Sequence, residues 1–146
     1  MGNCFLHGKG GAVLTGSPVS SGYCYVAYDD TSASTTSLSY VKLKEIKVKF
    51  AGIYRVSYLM GSGVPSTFST FCAIYKNGSI QPSMERENTS SYNLYYSFNI
   101  NANAGDLIQL YGKHNYSGGN IEIVKEFGVA IQPAIDTSYI AEIQSV

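Results

Sequence analysis

The sequence has no tryptophan, three cysteines and two histidines, and charged residues make up 14% of its 146 positions. Each scarcity closes something off. Cys4, Cys24 and Cys72 form an odd set without the paired spacing of a zinc site or a disulfide framework, so they read as reduced thiols. Formal net charge is zero, which gives no electrostatic footprint for nucleic acid or for an anionic membrane surface. No apolar run approaches ~18 residues, and no basic stretch followed by an apolar run opens the chain. Neither a membrane span nor a secretory signal is therefore expected, and the expected place of synthesis is a cytoplasm. Gly2 and Cys4 invite an acylation reading, but the acyl motif wants Ser or Thr where this chain has Leu6, which sets it aside.

Catalytic chemistry has little to draw on. His7 and His114 have no sequence-local partner, and Glu85 with Glu87 is the close acidic pair of the 77–91 segment, the minimum for attack on a glycosidic bond. Carboxylates two apart on a polar loop read as solvated. No phosphate loop, dinucleotide fingerprint, zinc spacing or calcium loop is present, so no cofactor or metal is expected and the chain reads as a non-enzyme. The sequons at Asn77, Asn88 and Asn115 read as loop composition.

What the chain has instead is tyrosine, glycine and alternation. A single domain of this length buries roughly 68–70% of its unfolded surface, enough for a full core. In SYNLYYSFNI, Tyr92, Leu94, Tyr96, Phe98 and Ile100 fall on one parity and Asn93, Tyr95, Ser97 and Asn99 on the other. That is a half-buried strand with one large ring, Tyr95, on its polar side. Similar alternation predicts strands at 44–50, 52–60, 70–76, 92–100, 107–112 and 120–131, and no helical period of about 12 residues appears. In VKLKEIKVKF, Ile46, Val48 and Phe50 are expected inward and Lys42, Lys44, Lys47 and Lys49 outward, as protective lysines often are on sheet edges. GSGVPSTFS at 61–69, NGSIQPSMERENTSS at 77–91 and GKHNYSGGN at 112–120 read as loops, and Asn77-Gly78 as a tight turn. In AGD, Gly105 permits a turn and Asp106 can accept from local backbone amides.

Residues 1–40 differ from the rest. Glycines punctuate short apolar pieces that include Phe5, Leu6, Val13 and Leu14, and DDTSASTTSLS follows as a polar spacer. These pieces are too apolar for a purely disordered tail, so the segment reads as an arm that lies on something. The expected layout is an arm and spacer at 1–40, a head at 41–133, and a tail or last strand at 134–146. Short strands in this number, separated by such loops, give an all-β fold: a two-sheet antiparallel sandwich.

Phe50 followed by AGIYRVSY at 51–58, AIYKNG at 73–78, AGDLIQLY at 104–111 and FGVAI at 127–131 resembles the trimeric jelly roll of the complement-type globular head and tumour-necrosis-factor superfamily. The similarity spans about residues 44–133. Animal members carry a signal, a collagen stalk and tryptophan that this sequence lacks, and the intracellular pattern looks more like the bacteriophage virion proteins built on similar jelly rolls. The resemblance implies a two-sheet jelly-roll sandwich with a glycine-rich N-terminal arm, assembled as a homotrimer around one sheet's outer face. It assigns Leu107 and Tyr111, with Tyr95, to the subunit interface; Tyr95 reads equally as an isolated exposed ring. It further implies a virion protein, a capsid decoration or fibre, synthesised in the host cytoplasm and held to capsid or tail proteins by Phe5, Leu6, Val13 and Leu14. Lys113, His114, Asn115 and Tyr116 form a polar and aromatic set suited to a host surface glycan, or else a plain hairpin tip. The rival readings are a soluble carbohydrate- or protein-binding module of a cell, and an enzyme acting on polysaccharide through Glu85 and Glu87.

Overall fold

The computed structural model describes residues 5–7, 13–15, 24–61 and 68–131, with backbone alone at 5–7, 13–15, 24 and 25. Its strands are β1 (Phe5–His7), β2 (Val13–Thr15), β3 (Cys24–Asp29), β4 (Ala33–Thr35), β5 (Val41–Lys47), β6 (Gly52–Met60), β7 (Thr70–Lys76), β8 (Ser79–Asn88), β9 (Leu94–Ala102), β10 (Leu107–His114) and β11 (Ile121–Ile131). β1 and β2 pair with each other, Leu6 opposite Leu14. The remaining strands form two antiparallel sheets. The first runs β3-β11-β6-β9, with β4 also on β11, and the second runs β5-β10-β7-β8. From β4 to β11 the chain passes repeatedly between the sheets, and this strand order is that of a jelly roll. The expected all-β jelly-roll sandwich is the fold.

Alternation places the core. Tyr54, Val56, Tyr58 and Met60 of β6 face Cys72 and Ile74 of β7 and Ile108 and Leu110 of β10, with Ile123, Phe127 and Val129 of β11 beside them. Burial of each large side chain contributes roughly 1.5–3 kcal/mol relative to exposure. Packing is close enough to dictate a glycine within β10: a Cβ on Gly112 would lie 2.6 Å from both Ile123 Cγ2 and Leu43 Cδ1. At the β7–β8 turn, Asn77 and Gly78 take φ of 51° and 79°, as a two-residue hairpin requires. Asp106 closes the β9–β10 turn by accepting from the Asn103 N–H at 2.8 Å and from Asn77 Nδ2 at 2.9 Å.

Several expectations need correction. Residues 24–35 are not arm or spacer: β3 pairs with Phe127–Ile131 and β4 with Ile121–Val124, so both complete the first sheet. Residues 79–88 are not a loop but a ten-residue strand. Its polar residues and Pro82 suit the edge of the second sheet, where one side of the strand needs no ladder donor. Phe50 is 49% exposed because β5 ends before it, and its carbonyl accepts from the Tyr54 hydroxyl at 2.6 Å. Tyr92 is 75% exposed because β9 begins only at Leu94. Within β5 a register shift opposite Leu110/Tyr111 lets Leu43 and Ile46 both reach the core, so Lys44 does not follow Lys42 and Lys47 into solvent. The expected tail at 134–146 and most of the 61–69 loop lie outside the described residues.

Candidate binding faces

Strand alternation gives each sheet an outer face, and the two faces differ in chemistry. On the first sheet, register sets Glu126, Leu59 and Tyr95 in one row, then Tyr28, Gly128, Ser57 and Ser97, then Ala130, Arg55 and Asn99, and finally Ile53 with Asn101. Tyr95, Tyr28 and Ile53 are exposed by 58%, 54% and 43%. Charge on this face among the described residues is carried by Arg55, by Glu126, which accepts from the Tyr28 hydroxyl at 2.9 Å, and by Glu122 and Lys125, which pair with each other at 2.8 Å.

The outer face of the second sheet carries a cluster of rings. β7 and β10 pair so that Gln109 opposes Tyr75, Tyr111 opposes Ala73 and Lys113 opposes Phe71. Tyr75 and Tyr111, diagonal neighbours, stack with centroids 4.0 Å apart, and Tyr40 meets Tyr75 edge-on at 6.2 Å. Lys113 Nζ lies 4.6 Å from the Tyr40 centroid and 4.9 Å from that of Phe71. Beneath them Ala73 is fully buried although it points away from the core, so the rings roof their own apolar floor. The Tyr40 hydroxyl donates to Glu85. Burial first, then that carboxylate, holds its pKa well above the usual phenol range, so it stays a donor. Beside the rings, Gln109 donates to Glu45 at 2.6 Å and accepts from the Gly78 N–H at 2.8 Å, and Glu45 pairs with Lys42.

This geometry regroups the sequence-predicted sites. Leu107 and Tyr111 lie on the outer face of the second sheet and Tyr95 on that of the first, so the three cannot serve a single flat interface. Parity within each strand was readable, but which strands share a sheet was not. The ligand set divides as well. Lys113 and His114 belong to β10, not to the loop, and His114 is 1% exposed. His114 Nδ1 accepts from the Tyr116 N–H at 3.1 Å, so its proton sits on Nε2, 3.0 Å from the Thr35 carbonyl. It ties β4 to the β10–β11 loop and is not offered to a ligand. Asn115 Oδ1 accepts from the Ser69 N–H at 2.6 Å, and the Tyr116 ring stacks on Phe68 at 5.0 Å. Of the four, Asn115 and Tyr116, the latter at 39% exposure, stay at the surface, and Lys113 turns to the ring cluster.

Glu85 and Glu87 share the outer side of β8, where Glu85 is already engaged by Tyr40. Among the described residues no group of His, Cys, Asp and Glu could hold a metal ion. Cys72 is buried, and burial raises its thiol pKa, which makes it inert. Tyr40, Tyr75 and Phe71 were missed as site residues. Their signal was the shared parity of Phe71, Tyr75, Tyr111 and Lys113, legible only once β7 and β10 are known to be neighbours.

No family model and no curated protein sequence matches this chain. Among solved structures, it is similar to a native family 35 carbohydrate-binding module from Clostridium thermocellum. Identity there is 21%, over 77% of this chain and 84% of that one, with a TM-score of 0.43. It is also similar to rabbit GITRL, with 16% identity over 70% of this chain and 84% of that one, and a TM-score of 0.43. A family 35 module from Paenibacillus barcinonensis gives 18% identity over 77% and 81%, with a TM-score of 0.41.

Proposed function

We propose that the chain is a non-enzymatic assembly and binding protein of a bacteriophage particle. In this reading it is a homotrimer, synthesised in the host cytoplasm and incorporated into the virion, attached through its N-terminal residues to capsid or tail proteins with its jelly-roll head outward. The observation that carries the reading is the contrast between the outer faces. The first sheet turns Leu59, Tyr95 and Ile53 outward with Tyr28 and small residues between them, and of its charges Glu122 and Lys125 are paired and Glu126 is hydrogen-bonded, which suits an interface centre. The second sheet is fringed by Lys42, Glu45, Lys47, Glu85 and Glu87, which suits solvent or a polar ligand. Support for the bacteriophage setting comes from the motif order across residues 50–131. Light scattering on purified protein tests the assembly: three 15.8 kDa chains give about 47 kDa, and a stable 15.8 kDa species overturns it. Mass spectrometry of purified particles that lack the chain overturns the virion setting.

A second reading, a soluble carbohydrate- or protein-binding module of a cell, is favoured by the ring cluster on the second sheet. An enzyme acting on polysaccharide would have to use Glu85 and Glu87. Unchanged release of reducing sugar by Glu85→Gln and Glu87→Gln, or no release by the native protein, disposes of that reading.

A further inference from the structure

We infer that the ring cluster on the outer face of the second sheet, built from Tyr40, Phe71, Tyr75 and Tyr111 and framed by Lys113 and Glu85, is a binding site for an uncharged polysaccharide chain. The inference rests on the binding-module part of the proposed function and is independent of trimer formation, because the proposed subunit contact lies on the other sheet.

Three observations lead there. First, none of the four rings belongs to the core between the sheets; Tyr40, Tyr75 and Tyr111 pack in sequence and Lys113 bridges Tyr40 to Phe71, outside the core that holds the sandwich together. Aromatic surface held rigid on a strand scaffold loses little entropy on binding, which is why tyrosine is favoured at contact sites. Second, Tyr75 and Tyr111 stack face to face and all four rings are half-buried, so the cluster offers partly exposed aromatic surface that carries phenol hydroxyls, an apolar body with polar tips. Such a surface matches a sugar, whose C–H faces are apolar and whose rim is hydroxyl. Third, charge around the rings is mixed and locally paired. Lys42 pairs with Glu45 at 2.8 Å, Glu85 takes the Tyr40 hydroxyl, and Lys113 lies over two rings. A phosphate or acidic peptide would select one-signed charge, whereas alternating donors and acceptors select a neutral polyol. The loop at Asn115 and Tyr116, where the sequence alone puts the ligand, has spent Asn115 on Ser69 and one Tyr116 face on Phe68.

The test is native affinity electrophoresis of the full chain through gels containing laminarin, xylan, galactomannan or dextran, alongside Tyr111→Ala, Tyr75→Ala, Tyr92→Ala and Tyr116→Ala. Retardation of the native protein by at least one polymer is expected, weakened at least tenfold by Tyr111→Ala or Tyr75→Ala and changed less than twofold by Tyr92→Ala and Tyr116→Ala. Circular dichroism checks the fold, and Lys113→Met with Glu85→Gln replaces a ring variant that does not fold. No retardation by any of the four polymers overturns the inference. So does retardation that survives the cluster variants, or that Tyr116→Ala abolishes. Concentration-dependent association beyond the trimer, lost in Tyr111→Ala, overturns it in favour of a second copy as occupant. An unchanged solution mass in the cluster variants separates these outcomes from failure of the trimer.

Discussion

The two sheets share one core yet differ on both of their faces. Outside, the first sheet sets an exposed Tyr95 and Leu59 beside small residues, while the second gathers its rings into a cluster that covers its own floor. Inside, one of the second sheet's buried polar groups, His114, has a partner at each ring nitrogen, whereas the first sheet's buried Tyr58 hydroxyl has none among the described residues. A jelly roll needs only its inner faces apolar. The outer faces are therefore free to diverge, and that divergence is where function resides.

The contrast outside can be broken by one charge. If the first sheet is the subunit contact, Tyr95→Arg places a cation at its centre and solution mass falls threefold, from about 47 kDa to 15.8 kDa, while Tyr111→Arg leaves it unchanged. Equal dissociation by both would erase the distinction between the faces. Inside, His114→Ala removes a buried side chain and takes their partner from the half-buried Thr35 carbonyl and from the Tyr116 amide. Urea unfolding should show a loss of about 2–4 kcal/mol.

A smaller effect sharpens the same comparison through acid. Asp29 ends the first sheet's β3 and pairs with Lys44 of the second sheet at 2.7 Å; hydrogen bonds from Lys44, then Thr31, hold its carboxyl well below the usual carboxylate range. A folded-state pKa below the unfolded value contributes stability above the unfolded pKa, near 3.8 here, and that contribution fades as pH falls. Lys44→Met should therefore be less stable than the native protein at pH 7, with the gap shrinking below about pH 4 in urea titrations. The smallest change expected is in Tyr58→Phe. Removing a buried hydroxyl without a partner should leave stability unchanged or raise it by up to about 1 kcal/mol. A clear loss in the same titration would mean that the hydroxyl is satisfied after all.

Much of this was legible in the sequence, and the exceptions share a cause. The alternation in β6, β7 and β9, the Asn77-Gly78 turn and the Gly105-Asp106 turn depend on residues close in the chain, and each is where it was expected, save that β9 begins two residues later, at Leu94. β8 escaped because an edge strand with polar residues and Pro82 looks like a loop until a neighbour pairs with it. β3, a short apolar run, and β4, a three-residue polar one, escaped because they become strands only by lying along opposite halves of β11. His114 looked like a ligand in a loop because nothing local shows that Thr35, far away in sequence, closes over it.

By itself, then, the sequence determined the all-β class, the turns and which parity of each strand is apolar, since these follow from local geometry and side-chain period. Only the tertiary structure decided which strands became neighbours, and so which rings meet. Tyr75 and Tyr111 are 4.0 Å apart because β7 and β10 pair, while Tyr95 sits on the far sheet. Pairing between strands distant in the chain is settled by the packing of the whole core, which no local pattern encodes.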